Sequence, residues 1–326
     1  MLNNLNKLKF FGRYSIKDGN YTFYNGGSGL SFKMKGNSFS IKLELVPAPG
    51  YIYVILDKNY DKKTKILVKS PIFNYSFDDN KEHFVDILKA NEANDNALVI
   101  SSLDIDGELL DYDLNHKYKI KVYGDSTIAG FGILAHDGDA SIHVSDSVRA
   151  FCFHGLYELG YDYDIFSASG WGLVFSDYTN PKEIGIINYK DKVKACSDIN
   201  FVDDRKADLL IVSLGTNDYS YVAVKDSLNR VNIFKKTYKE LIDSELSKNP
   251  DLKILMVYGT LKEKDVYPMI EATYEYLKPL YKNLFIHKFD GDNMAISNHA
   301  YVDKHDIMAK ELIEVINQIM DKQKED

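Results

Sequence analysis

The first third of the chain alternates between apolar and polar positions, and the remainder does not. Over residues 31–34, 38–45, 51–56, 65–68, 82–88 and 97–103, short alternating runs recur with Gly, Asn, Asp and Pro between them. That is the pattern of strands buried on one face. Within 38–45, Phe39, Ile41, Leu43 and Leu45 fall on one side, and Ser40, Lys42 and Glu44 on the other. No long helical period interrupts these runs. Strands recurring at roughly ten-residue spacing predict an all-β sandwich or jelly roll over residues 1–113.

A polar DYDLNH stretch at 111–116 then predicts a linker, and residues 114–326 have a different character. Apolar runs at 118–123, 163–167, 208–214, 253–258 and 284–289 are separated by stripes at helical spacing. The stripes are Val148, Phe151, Cys152, Leu156 and Leu159; Leu228, Val231, Phe234, Tyr238 and Leu241; Met269, Ile270, Thr273 and Leu277; and Met308, Leu312, Val315, Ile316 and Ile319. Strands alternating with helices predict a parallel sheet covered on both faces, an α/β/α layering. The 208–214 run is almost wholly apolar and predicts the central strand. The 118–123 run carries Lys119 and Lys121, more charge than a buried strand ordinarily holds.

A chain of 326 residues suits two domains of ordinary size. Its net charge of −8, with no run of Lys or Arg, argues against nucleic acid or an anionic membrane surface as partner. No window approaches the length of apolar sequence that spans a bilayer. The amino terminus has neither an apolar core nor a small-residue cleavage site, so no signal peptide is expected. The localisation that follows is cytoplasmic, an expectation that reverses if a leader has been removed ahead of Met1. The 24 Tyr beside a single Trp suit β surfaces and sugar contacts. Cys152 and Cys196 have no disulfide-framework or metal-ligand spacing and are expected to be reduced and buried. Asp137, Asp139 and Ser141 open like a calcium loop, but Ile142 and Val148 stand where the glycine and final acidic ligand belong. No metal site is therefore expected from these spacings.

The candidate chemistry stands where strands end. In KIKVYGDSTIAGFG, residues 119–132, a strand runs into a Gly124-Asp125-Ser126 corner that opens a helical turn. A serine there is presented at the carboxyl edge of the sheet, and its own N–H points the same way. The corner supplies a nucleophile and one donor for an oxyanion. Three further stretches follow: FSASGWGL at 166–173, with Gly170 and Gly172 flanking Trp171; VSLGTND at 212–218, from which Asn217 projects; and Asn298-His299-Ala300 ahead of the last helix.

In order and content these four blocks resemble those of the SGNH or GDSL hydrolases: Ser126 in GDS, Gly170 in SGWGL, Asn217 in GTND, and His299 in NHAYVDKHDIMAKEL. The resemblance implies a flavodoxin-like sheet, Ser126 as nucleophile and His299 as its base. It also implies that the Ser126 N–H, the Gly170 N–H and the Asn217 amide hold the oxyanion. The segments FFGRY, GSGLSFKMKGNSFSIKLE and GYIYVILD, together with residues 146–172, are similar to carbohydrate esterase family two, in which a jelly-roll domain precedes the SGNH domain. What this implies is removal of acetyl groups from mono-, oligo- or polysaccharides without a cofactor, with Trp171 and Tyr219 placed to contact the sugar or cap the acetyl pocket.

Two positions depart from the wider pattern. Ile296 stands where many such hydrolases place Asp, three residues before the histidine, and Ala300 where a proline is common. The resemblance to family two implies a Ser-His dyad with the imidazole oriented by a backbone carbonyl; Asp290 and Asp292 are the acidic alternatives. His305 competes for the role of base, but it lies six residues on, inside the last helix. The alternative functions are a lipid or thioester hydrolase on the same scaffold and a sugar-binding protein that has lost catalysis.

Overall fold

The computed structural model describes residues 2, 4–112, 116–176, 184–203, 205–222, 227–259, 261–290 and 295–321. Among these, nine strands form the amino-terminal sheet: β1 Leu8–Phe11, β2 Tyr14–Lys17, β3 Asn20–Phe23, β4 Gly29–Val46, β5 Tyr51–Leu56, β6 Thr64–Leu67, β7 Ile72–Ser76, β8 Glu82–Lys89 and β9 Ala97–Leu110. Every pairing is antiparallel. The runs expected at 31–34 and 38–45 are one strand, β4, with a register shift between Gly36 and Ser38. A bulge bends a strand and increases its twist, and here it lets β4 serve two layers. Strand β4 pairs with β1 over 29–32 and with β8 over 29–35, with β9 from Lys33 to Val46, and with β7 over 38–42. Phe39, Ile41, Leu43 and Leu45 are all buried in the cluster between the layers, with Phe23, Phe32, Val85 and Ile100. Strands β1, β2, β3 and β7 fall outside the runs the sequence predicts, whereas β6, equally short, overlaps the 65–68 run.

The carboxyl-terminal sheet contains β10 Lys119–Gly124, β11 Asp162–Ser167, β12 Leu209–Ser213, β13 Lys253–Tyr258 and β14 Leu284–Lys288, all parallel, in the order β11-β10-β12-β13-β14. This is the flavodoxin-like order, whose ligand crevice lies at the carboxyl ends of the first and third strands, where the winding reverses. Here those strands are β10 and β12, and β12 is the central, fully buried strand the sequence predicts. Lys119 and Lys121 are accommodated in β10 by pairing with Asp203 and Glu245.

Helices α1 Ser126–Ala129, α2 Phe151–Glu158, α3 Thr216–Val222, α4 Ser227–Leu246, α5 Glu263–Leu277 and α6 Val302–Asp321 cover the sheet. Helix α6 buries Met308, Leu312, Ile316 and Ile319 against α2 and the face carrying Ile120, Val122 and Ile211. Full burial of each such side chain contributes about 1.5–3 kcal/mol. Helices α4 and α5 cover the face carrying Tyr123, Leu210 and Val212. The α4 stripe begins at Val231, because Leu228 is 75% exposed. Cys152 is buried as expected but Cys196 is not; it sits exposed in a loop at φ 55°.

The two domains share one core. Phe11, Tyr53, Ile55 and Leu88 of the β domain pack in the same cluster as Val148, Phe153 and Tyr163 of the α/β domain. Arg13, fully buried, holds both oxygens of Asp164 on β11 at 2.8 and 3.0 Å and donates to the carbonyls of Lys190 and Lys192. Burial alone would raise the Asp164 carboxyl, but the guanidinium beside it keeps it below the usual carboxylate range. The expected linker at 111–116 falls largely on residues 113–115, which lie outside the described residues.

Candidate active site

The serine corner is built by its neighbours. Asp125 caps the short helix α1, its carboxylate accepting the Thr127 N–H at 3.0 Å. Burial pushes the Asp125 carboxyl up to about 6. The helix ends after one turn at Gly130, φ 71°, and the Phe131 N–H donates to the Ser126 carbonyl. As the first residue of α1, Ser126 has an N–H with no intrahelical acceptor, and no partner for it is found among the described residues. The residue itself is only 6% exposed.

His299 arrives from the far side of the sheet, after β14. The turn before it, Ile296–Asn298, places Ser297 at φ 56° and Asn298 at φ 62°. Two successive left-handed residues other than glycine are costly, and such strain collects at functional sites. The turn is tied down by the Ile296 N–H donating to the Ala135 carbonyl and the Val302 N–H donating to that of Ile133. Its effect is to bring the Ile296 carbonyl to 3.2 Å from His299 Nδ1, while Nε2 lies 2.7 Å from Ser126 Oγ. A carbonyl can only accept, so Nδ1 carries the proton and Nε2 presents its lone pair to the serine hydroxyl. Desolvation lowers the His299 pKa from 6.5, and its bonds to the Ile296 and Ser297 carbonyls oppose this in part. Phe131 packs its ring 5.0 Å from the imidazole.

The remaining blocks form a second knot. Ala168 to Trp171 is a tight turn, the Trp171 N–H donating to the Ala168 carbonyl, with Gly170 at φ 78° in its third position. Glycine is the residue that tolerates this. No hydrogen-bond partner for the Gly170 N–H is found among the described residues. Asn217, in the first turn of α3, donates from Nδ2 to the Trp171 carbonyl at 3.1 Å. One of its two amide hydrogens is thereby committed and one remains.

Asp218, which the sequence reasoning did not single out, holds the strand-like turn that follows. Its carboxylate accepts the N–H groups of Leu173, Val174 and Phe175 at 2.9, 2.8 and 3.0 Å. Burial pushes this carboxyl up to about 6, against the pull of the three donors. Gly172 is required beside it, because a Cβ there would lie 2.2 Å from the Phe175 carbonyl oxygen and 2.6 Å from the Asp218 carboxylate.

Trp171, expected to contact the sugar or cap the acetyl pocket, lies in the turn beside Gly170. It is only 3% exposed and packs edge to face with Tyr189. Tyr219 is half-buried on α3 against the same cluster. His305 is fully buried, and its Nδ1 accepts the Phe151 N–H at 3.1 Å at the start of α2. Burial takes it down to about 3, and it faces the core instead of Ser126. Asp290 is exposed and makes no hydrogen bond to His299; Asp292 lies outside the described residues.

A parallel sheet in this order, with the GDS, SGWGL, GTND and histidine blocks at its carboxyl edge, is the arrangement the resemblance to the SGNH hydrolases implies. The chain as a whole has the two-domain architecture of the family two carbohydrate esterases, and residues 10–112 match the carbohydrate esterase 2 N-terminal family. It is similar to the acetylxylan esterase / glucomannan deacetylase of Cellvibrio japonicus, 23% identical across 96% of this chain and 89% of that protein. The structure of a family two carbohydrate esterase from Clostridium thermocellum in complex with cellohexaose superposes with a TM-score of 0.84, at 17% identity, over 96% of this chain and 99% of that one. An acetyl xylan esterase of Butyrivibrio proteoclasticus superposes at 0.81, with 18% identity, over 97% and 96%.

Proposed function

We propose that this protein is a carbohydrate acetyl esterase working through a Ser126–His299 dyad. The observation that carries the reading is the 2.7 Å contact from Ser126 Oγ to His299 Nε2, with Nδ1 turned to a carbonyl. Ser126 Oγ attacks the acetyl carbon as its proton passes to His299 Nε2. The developing oxyanion is received by the N–H groups of Ser126 and Gly170 and the free amide hydrogen of Asn217. As the C–O bond to the sugar breaks, His299 returns the proton to the departing hydroxyl and leaves acetyl-Ser126. Water then attacks the acetyl carbon as its proton passes to His299, and the bond to Ser126 Oγ breaks as that proton returns to Oγ, releasing acetate and restoring the serine.

A neutral carbonyl in place of a carboxylate stabilises the imidazolium less. It still fixes the tautomer, whose loss in a triad costs about ten-thousand-fold in turnover. The acetylated saccharide as substrate rests on the relatives, which are described as acting on xylan and glucomannan.

The test is acetate release from acetylated xylo- and gluco-oligosaccharides, beside a chain-length series of 4-nitrophenyl esters. Release of acetate, with acetyl esters preferred over longer ones, is expected. A preference for long acyl chains supports a lipid hydrolase instead, and glycan binding without turnover supports a binding protein.

A further inference from the structure

The loop between β8 and β9, in the β domain, touches the turn that carries Gly170. Glu92, 4% exposed, accepts the Ser169 N–H on Oε2 at 2.9 Å. Asn94 donates from Nδ2 to the Ser169 carbonyl at 3.1 Å. The second contact bears directly on the oxyanion site. The Ser169 carbonyl and the Gly170 N–H belong to one planar trans peptide and point in opposite directions, so a donor on the carbonyl fixes where the N–H points. This peptide is also the central one of the Ala168–Trp171 turn. The two common forms of such a turn differ by a flip of that central peptide, and the form with positive φ at the third position is the one seen at Gly170.

We infer that Asn94 and Glu92 are positioning residues that hold the Ser169–Gly170 peptide with its N–H toward the oxyanion, so that the β domain completes the catalytic centre of the α/β domain. The inference rests on the dyad esterase reading above. Glu92 anchors the preceding peptide and Asn94 selects the turn form. Around Glu92 the charged groups are Lys89, whose ammonium is held by the Asn91 and Glu92 carbonyls, Asp95, and Lys194 beside Ala93. None of these reaches the Ser169 carbonyl, which leaves Asn94 as its donor among the described residues. Asn94 is itself exposed, so replacing it leaves the core of either domain untouched.

The experiment is steady-state hydrolysis of 4-nitrophenyl acetate by wild type, Asn94→Ala, Asn94→Asp and Ser126→Ala, with melting temperatures measured alongside. Full loss of one oxyanion donor costs about a hundred- to a thousand-fold. A turn that flips part of the time should therefore lose roughly ten-fold in kcat, with KM within two-fold and the melting temperature unchanged. Asn94→Asp should lose more, because it sets a carboxylate against the carbonyl and favours the flipped peptide. Wild-type kcat in a folded Asn94→Ala, or a loss confined to KM, overturns the inference. Turnover that survives Ser126→Ala instead removes the reading on which it rests.

Discussion

At the residue scale, the proposed reaction turns on an imidazole with no acidic partner among the described residues. His299 is buried and orients itself on the Ile296 carbonyl, so its charged form gains less than in a triad and its pKa lies below 6.5. The base must be neutral to accept the serine proton. Because its pKa is lowered, it stays neutral further into acid. The acid limb of kcat/KM is therefore expected below pH 6.5, and a limb above that value in the pH profile contradicts this environment. Ser126, Gly170, Asn217 and His299 could be singled out as candidates from the sequence, since each stands in a short block at a strand end. What orients the histidine was not legible from residue types, because a carbonyl is common to every residue. It takes two left-handed residues, Ser297 and Asn298, to aim this one.

At the scale of elements, the blocks are organised by groups that do no chemistry. Asp218 stands next to Asn217 in GTND and closes the 172–176 turn onto α3 through three backbone donors. Asp218→Ala leaves those N–H groups buried without an acceptor, at about 1–3 kcal/mol each. It is expected to lower unfolding free energy in urea by at least about 3 kcal/mol and to loosen the 172–176 turn with it. A loss under about 1 kcal/mol denies the clamp. The stripes of α2, α5 and α6 and the runs of all five parallel strands could be read from periodicity, because each buries a continuous face. Leu228 could not be placed, since an apolar residue at the start of a stripe looks the same whether or not the helix has reached the sheet.

At the scale of the whole molecule, the β domain is no separate appendage. Its Phe11, Tyr53 and Leu88 share a core with the α/β domain, Arg13 is sealed against Asp164, and its 90–96 loop grips Ser169. The two-domain division was legible as a change of hydrophobic period. The seam was not, because long-range contacts such as Arg13 to Asp164 leave no local pattern. At the carboxyl edge of the parallel sheet, Glu92 and Asn94 of the β domain thus bear on the turn that carries Gly170. The most direct test is to treat wild type and His299→Ala with phenylmethylsulfonyl fluoride and map the adduct by peptide mass spectrometry. Rapid, single modification at Ser126 is expected in the wild type, and little or none in His299→Ala. No adduct on Ser126, or equal labelling in both proteins, contradicts the dyad.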